Sequence, residues 1–215
     1  MKKIIKRTLL FLFRVLCIPQ PQHPSYAKPG LHLRWTLGFL RAQLIYRPLW
    51  GIKHLLNLGP KITWGQRIVF LSSVRVNGNG HIIIGDNVIF DSKPDLYTHG
   101  LNSILTLGEN SYINGTRFGC SLSISIGKNC ILADARLMDT DFHSIGRHRI
   151  NPEAPVMQAA ITIDDDVWLA AGSAVLKGVN IGKHSIVSFG SVVVTSIPEG
   201  KIYGGIPAKE IGDVP

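Results

Sequence analysis

The chain of 215 residues is poor in cysteine and in charge, and its first 85 residues hold no carboxylate at all. Three cysteines, Cys17, Cys120 and Cys130, give neither an even framework nor a metal-ligand pair. That argues against a disulfide scaffold and a cysteine-type zinc site, and for a chain that keeps its thiols reduced. Long apolar runs are also missing. Leu9–Phe13 and Val15–Ile18 are separated by Arg14, and both fall far short of the roughly 20 apolar residues that cross a bilayer. No Ser–His–Asp order, nucleophile elbow or phosphate-binding Gly-rich loop occurs. What the chain does have is a 45% hydrophobic composition, ample for a packed core and contrary to global disorder.

Charge is unevenly placed. Residues 1–85 carry 13 Lys and Arg and no acid, whereas residues 86–215 carry 10 basic and 14 acidic side chains. A one-sided basic segment suits an anionic membrane or nucleic acid. No nucleic-acid motif accompanies the charge, which disfavours that partner. Residues 2–18 place Lys3, Arg7 and Arg14 on one helical stripe with Leu, Phe and Ile around the rest, the pattern of a basic amphipathic helix in a membrane interface. One rival is a signal peptide cleaved near Ser25-Tyr26-Ala27, opposed by Arg14 and by the Pro-rich stretch 19–30. A helix that merely packs on the body is another. Over residues 31–58, Trp35, Trp50, Arg34, Arg41, Arg47 and Lys53 are interleaved at plausible helical spacing. They suit an interface or a helical cap over a hydrophobic end of the body.

The C-terminal part repeats every six residues. From Ile163 the hexads read IDDDVW, LAAGSA, VLKGVN, IGKHSI, VSFGSV and VVTSIP, each beginning with an aliphatic residue. The fifth positions are Val167, Ser173, Val179, Ser185, Ser191 and Ile197. A block in the same register runs IGKNCI, LADARL, MDTDFH from Ile126, and looser matches start at Ile84 and Leu107. Neither a helix nor a simple strand sustains a period of six. Short extended segments separated by corners do, with the first position inward and the fifth packed beneath the wall. Stacked coils then bury an aliphatic column that no single repeat could bury. The division predicted is a basic, partly helical segment over 1–60 and a repeat domain over 61–215.

These hexads resemble the hexapeptide-repeat acyltransferases, and the string VWLAAGSAVLKGVNIGKHSIVSFGSVVVTSIPEG with the ending GGIPAK resembles the galactoside, maltose and xenobiotic O-acetyltransferase branch. The likeness covers roughly Ile82 to Val214. It implies a mainly β fold, a left-handed parallel β-helix assembled as a homotrimer, with acetyl-CoA as donor and no metal.

The repeat breaks between Met138 and Ile161, and this excursion (loop 139–162) is where function is expected. His143, after Asp139-Thr-Asp141, is the candidate general base, since a neutral imidazole can take a hydroxyl proton. Its placement resembles that of the family's catalytic His. Tyr112 and Asn114 resemble the Tyr-x-Asn of the acceptor pocket. Asn114 could orient the acceptor or hold the acyl oxygen, or serve only as a turn residue before Gly115. Glu153 lies near the family's imidazole-orienting carboxylate, and Asp139 or Asp141 could do that job instead. Asp141 is also placed at the acceptor. Trp168, Ala170, Ala171, Ser188 and Phe189 resemble the pantetheine groove, with corner packing as the plain role of the alanines, and Lys209 resembles the basic residue at the nucleotide end. Val194-Thr195 replaces the family's usual Thr-Lys pair, and Phe189 stands where a small residue is common. His148 sits in a surface-like Arg-His-Arg run.

The resemblance implies an acetyl-CoA-dependent O-acetyltransferase acting on a sugar hydroxyl of a cell-surface polysaccharide or lipid-linked glycan. The expected location is the cytoplasm, with the basic segment able to hold the chain on the inner face of the cytoplasmic membrane. Two alternatives remain open, an N-acyltransferase of an amino sugar nucleotide and a non-catalytic β-helix scaffold.

Overall fold

A computed structural model describes residues 31–215; the amphipathic stretch 2–18 and the Pro-rich stretch 19–30 lie outside the described residues. The hexads fold into about seven coils with three parallel walls. Wall A stacks β1 (Lys61–Trp64), β4 (His81–Ile84), β7 (Ile104–Leu107), β10 (Ser123–Ile126), β13 (Ile161–Ile163) and β16 (Asn180–Ile181). Wall B stacks β2 (Val69–Phe70), β5 (Ile89–Asp91), β8 (Tyr112–Asn114), β11 (Ile131–Ala133), β14 (Trp168–Leu169) and β17 (Ile186–Val187). Wall C stacks β3 (Arg75–Gly78), β6 (Asp95–Thr98), β9 (Arg117–Cys120), β12 (Arg136–Met138), β15 (Ala174–Leu176) and β18 (Val192–Val193). The chain ends in an antiparallel hairpin of β19 (Lys201–Gly205) and β20 (Ala208–Asp213), added to wall B.

The six-residue register holds where the hexads are regular. Ile163, Leu169, Val175, Ile181, Val187 and Val193 all point inward and are buried. The fifth positions, Val167 through Ile197, are buried as well. Two of the polar fifth positions are bonded there, Ser185 Oγ donating to Pro198 O at 2.7 Å and Ser191 Oγ accepting from Gly205 N–H at 3.0 Å, while Ser173 Oγ is buried with no partner among the described residues.

One expectation fails. The hexad MDTDFH would place Met138 inward, yet Met138 is 40% exposed and Leu137 is buried in its stead. Wall C aligns Leu137 with Val175 and Phe118, while Leu132 aligns with Leu169 and Ile113 on wall B. The corner of this coil is therefore one residue shorter than that of the next. Because strand side chains alternate, a one-residue shift exchanges inside for outside.

The first coil is closed by helix. Residues Leu31–Arg41 (α1) and Arg47–Leu55 (α2) are joined by a π-helical turn, Ala42–Tyr46. Pro48 accounts for the turn: it offers no N–H and crowds the preceding carbonyls, and Arg47 N–H reaches back to Ala42 O. Trp50 stacks on Trp64 at 5.6 Å between centroids, and Tyr46 packs on Phe70 at 4.6 Å. The end of an aliphatic column needs such a cover. The opposite helical face leaves Leu44, Ile45, Leu49, Ile52 and Leu55 exposed. No described helix is long and apolar enough to cross a membrane.

The register predicts a sharp contrast between neighbours. Leu137→Asp buries an unpaired charge and should cost on the order of several kcal/mol, whereas Met138→Asp should leave the thermal unfolding midpoint nearly unchanged. Equal midpoints for the two variants, measured by circular dichroism, would contradict the alignment.

Candidate active site

The loop that interrupts the repeat is pinned at its neck. Asp139 is fully buried, and its carboxylate accepts N–H bonds from Ser121 at 2.7 Å and Leu122 at 2.8 Å. Thr140 bridges Gln158 in antiparallel fashion, and Asp141 N–H donates to Met157 O at 3.0 Å. Phe142 follows with φ of 58°, in the left-handed region that costs energy for a residue with a Cβ. Its ring packs against Gly119, where a Cβ would come within 2.9 Å of two ring atoms. Glycine at 119 is what lets the ring sit on the strand.

This packing sets His143, which is exposed, at a cavity of ≈ 340 Å³ lined also by Tyr97, His99, Ser121, Phe142 and Gln158. Tyr97 Oη and His99 Nδ1 are 3.0 Å apart, so a second imidazole is held in the same cavity by a phenol. Sequence reasoning assigned Tyr97 and His99 no role. The available signal was their i, i+2 spacing, which puts both on the outer face of one strand.

The carboxylates do not behave as anticipated. Among the described residues no hydrogen bond or ion pair joins a carboxylate to His143. Glu153 is exposed, and its backbone N–H donates to Asn151 Oδ1 at 3.0 Å. Asp139 spends both oxygens on the loop neck. Asp141 pairs with Lys177 Nζ at 2.7 Å. The expected Glu153–imidazole contact is absent because the loop carries Glu153 out to its surface.

The other candidates gather on wall B. Tyr112, Ile131, Trp168 and Ile186 form one outward row. Tyr112 Oη donates to Asp91 Oδ2 at 3.3 Å, and Asn114 Nδ2 donates to Tyr112 Oη at 3.4 Å. Arg34 of α1 approaches Asp91 from above at 3.8 Å. Ala170 and Ala171 follow β14, and Ser188 and Phe189 follow β17 one coil on. Gly190 N–H donates to Ala171 O at 3.0 Å, binding these two corners together. Trp168 and Phe189 are exposed, at 45% and 79%. Lys209 lies exposed on β20, aligned with Gly204. The His143 cavity and the wall B row thus occupy different faces of one chain.

Neither described cysteine competes with the histidines as a nucleophile. Cys120 and Cys130 are buried, and their thiols are pushed up to about 12, chiefly by desolvation. Such thiols stay protonated and unreactive at neutral pH. Among the described residues no group of three or more His, Cys, Asp or Glu could hold a metal ion.

Asp139 should be the residue on which loop position depends. Asp139→Asn replaces one acceptor oxygen with a donor facing a backbone N–H, a loss of about 1–3 kcal/mol. Amide exchange across 139–160 should accelerate while the solenoid stays protected. Unchanged exchange in the loop would remove the anchoring role.

The chain matches known proteins over parts of its length. Galactoside O-acetyltransferase of Escherichia coli is 25% identical over 135 residues, 61% of this chain and 63% of that protein. A polysialic acid O-acetyltransferase has the same fold, with a TM-score of 0.60 at 23% identity, covering 71% of this chain and 74% of the other. An N-acyltransferase from Bacillus cereus, solved with dTDP and coenzyme A, also gives a TM-score of 0.60 at 23% identity, covering 75% of this chain and 87% of the other. The matches span less than two thirds of the curated relatives' own length, 63% in one case and about a quarter in others. No protein-family profile matches the chain. The curated proteins it matches are named as acetyltransferases.

Proposed function

We propose that the protein transfers an acetyl group from acetyl-CoA to a hydroxyl of a sugar or glycan. The observation that carries this reading is His143, held at a cavity by a pinned loop on a solenoid whose relatives are named acetyltransferases. His143 takes the acceptor's hydroxyl proton as the oxygen attacks the thioester carbonyl. The C–S bond then breaks, and the proton returns from the imidazole to the departing thiolate. A backbone N–H or Asn114 would stabilise the tetrahedral oxyanion between these steps.

The exposed Trp168 and Phe189 beside the close-packed corners at Ala170, Ala171 and Ser188 suit a narrow apolar pantetheine arm, and Lys209 suits the phosphates of the nucleotide. The His143 cavity and these residues face apart in one chain. A closed assembly of three copies would let wall B of one chain meet the loop of the next. The named relatives include an N-acyltransferase, so an amino-sugar acceptor is the second reading. A panel of hydroxyl and amine sugars separates the two.

His143→Asn should keep the fold and acetyl-CoA binding and lower transfer by roughly 10²–10⁴-fold. His99→Asn should cost far less, since Tyr97 already engages its ring. Near-normal turnover for His143→Asn with an inactive His99→Asn would move the base to His99, and two active variants would remove histidine base catalysis.

The helical cap also supports a proposal about place. Leu44, Ile45, Leu49, Ile52 and Leu55 stand exposed beside Arg41 and Lys53, with no carboxylate anywhere before Asp86. This face would dock on an anionic bilayer, cations adding about 1 kcal/mol each near the surface. Full-length protein should float with phosphatidylserine-containing vesicles, and Leu49→Glu with Ile52→Glu should release it. Equal flotation of the double variant would refute the docking face.

A further inference from the structure

Beyond the loop and wall B, the outer face of wall C carries charge that belongs to neither the His143 cavity nor the wall B row. The parallel pairing aligns Arg75 with Asp95, Asp95 with Arg117, and Arg117 with Arg136, so four coils contribute one continuous row. Adjacent strands lie about 4.8 Å apart, which brings the two guanidinium stems of Arg117 and Arg136 into immediate neighbourhood. Asp95 pairs with Arg75 through one oxygen, Nη1 to Oδ2 at 3.1 Å, and its buried Oδ1 has no hydrogen-bond partner among the described residues. Arg117 and Arg136 are exposed and have no ion-pair partner among the described residues.

The rest of the body makes this arrangement stand out. Residues 86–215 are net acidic, and Lys128, Lys177, Lys183 and Lys201 are all paired with carboxylates. Three of the cations left over, Lys93, Arg117 and Arg136, line two adjoining cavities of ≈ 300 and ≈ 480 Å³ that share Arg75, Asp95 and Arg117. Arg117 and Arg136 are like charges on neighbouring strands, an arrangement that costs the sheet stability and that a ligand of opposite sign would offset. The groove begins at Gly115, next to Asn114, and ends at Phe142 and Tyr97. Those two aromatic rings also line the His143 cavity.

We infer that the Arg117–Arg136 row is an acceptor subsite for an acidic glycan, binding carboxylates of the chain whose hydroxyl is presented to His143. The inference rests on the acetyl-transfer reading for the role of His143, and on the charge row alone for the class of ligand. Guanidinium groups pair with carboxylates in a two-pronged geometry that lysine cannot copy. Tyr97 and Phe142 offer ring faces against which a pyranose can lie. Phosphate shares the chemistry, and the donor carries phosphates, but the residues proposed for the donor lie on wall B and the terminal hairpin.

The test is binding by the full chain, measured by calorimetry, to an oligosaccharide of hexuronic acid and to the same oligosaccharide with its carboxyls reduced. The acidic form should bind at least roughly tenfold more tightly, and the double variant Arg117→Gln, Arg136→Gln should lose that preference through the missing charge-assisted bonds. Raising salt should weaken the acidic ligand only, since the groove is open to solvent. No preference in the wild type, or a preference that survives in the double variant, overturns the inference. So does a variant that loses acetyl-CoA binding instead, which would make the donor phosphates the occupant. A change in assembly mass by light scattering would make the row a contact between copies and overturn it too. Acidic-glycan binding by a chain that transfers no acetyl group would keep this subsite and sink the transfer reading, and transfer to neutral glycans alone would do the reverse.

Discussion

The structure depends on coils burying their inward aliphatic side chains against the coil above and the coil below. Leu105, Ile124, Ile161 and their counterparts on the other walls form a column with no second layer to cover it. The parallel ladders hold the coils at fixed spacing, and a residue on one coil must fit beneath its partner on the next. Two consequences follow. The column needs a lid at its open end, and a loop can leave the solenoid only where the ladder resumes in register on its far side.

Both are met with aromatic and polar contacts. The lid is Trp50 stacked on Trp64 and Tyr46 tilted against Phe70, with Arg47 donating to Gly65 O and lying over the Trp64 ring. The loop departs after Met138 and returns at Ile161, and wall A pairs Ile124 with Ile161 as though nothing intervened. The buried carboxylate of Asp139 makes that departure stable by satisfying two backbone donors of the preceding coil. Its burial is tolerable because the oxygens are bonded. An exposed histidine at a defined cavity is the result.

A solenoid also turns distance in sequence into adjacency in space. Every coil adds one rung to each wall, so outward side chains line up in rows along the long axis. Wall B displays Tyr112 and Trp168 in one such row, wall C displays arginines, and the loop bridges toward wall C. Chemistry in this fold is therefore assembled from rows and one excursion, on a core that is nearly uniform.

The regular hexads were legible directly, because an aliphatic residue every sixth position from Ile163 to Val193 has no other cause than a shared interior. The break at Met138 was legible as a loop, and His143 within it as an exposed imidazole. The inward choice of Leu137 over Met138 was not, since only the ladder with Val175 reveals that the preceding corner is a residue short. Nor could local pattern show that Glu153 stands exposed with no bond to His143 while Tyr97 and His99 line the same cavity. The arginine row was equally hidden: Arg117 and Arg136 become neighbours only when two coils stack. Sequence by itself determined which side chains must leave water, since burial follows from residue type and period. Which outward side chains meet was decided by the tertiary structure, because the register between coils depends on the length of every corner and loop between them.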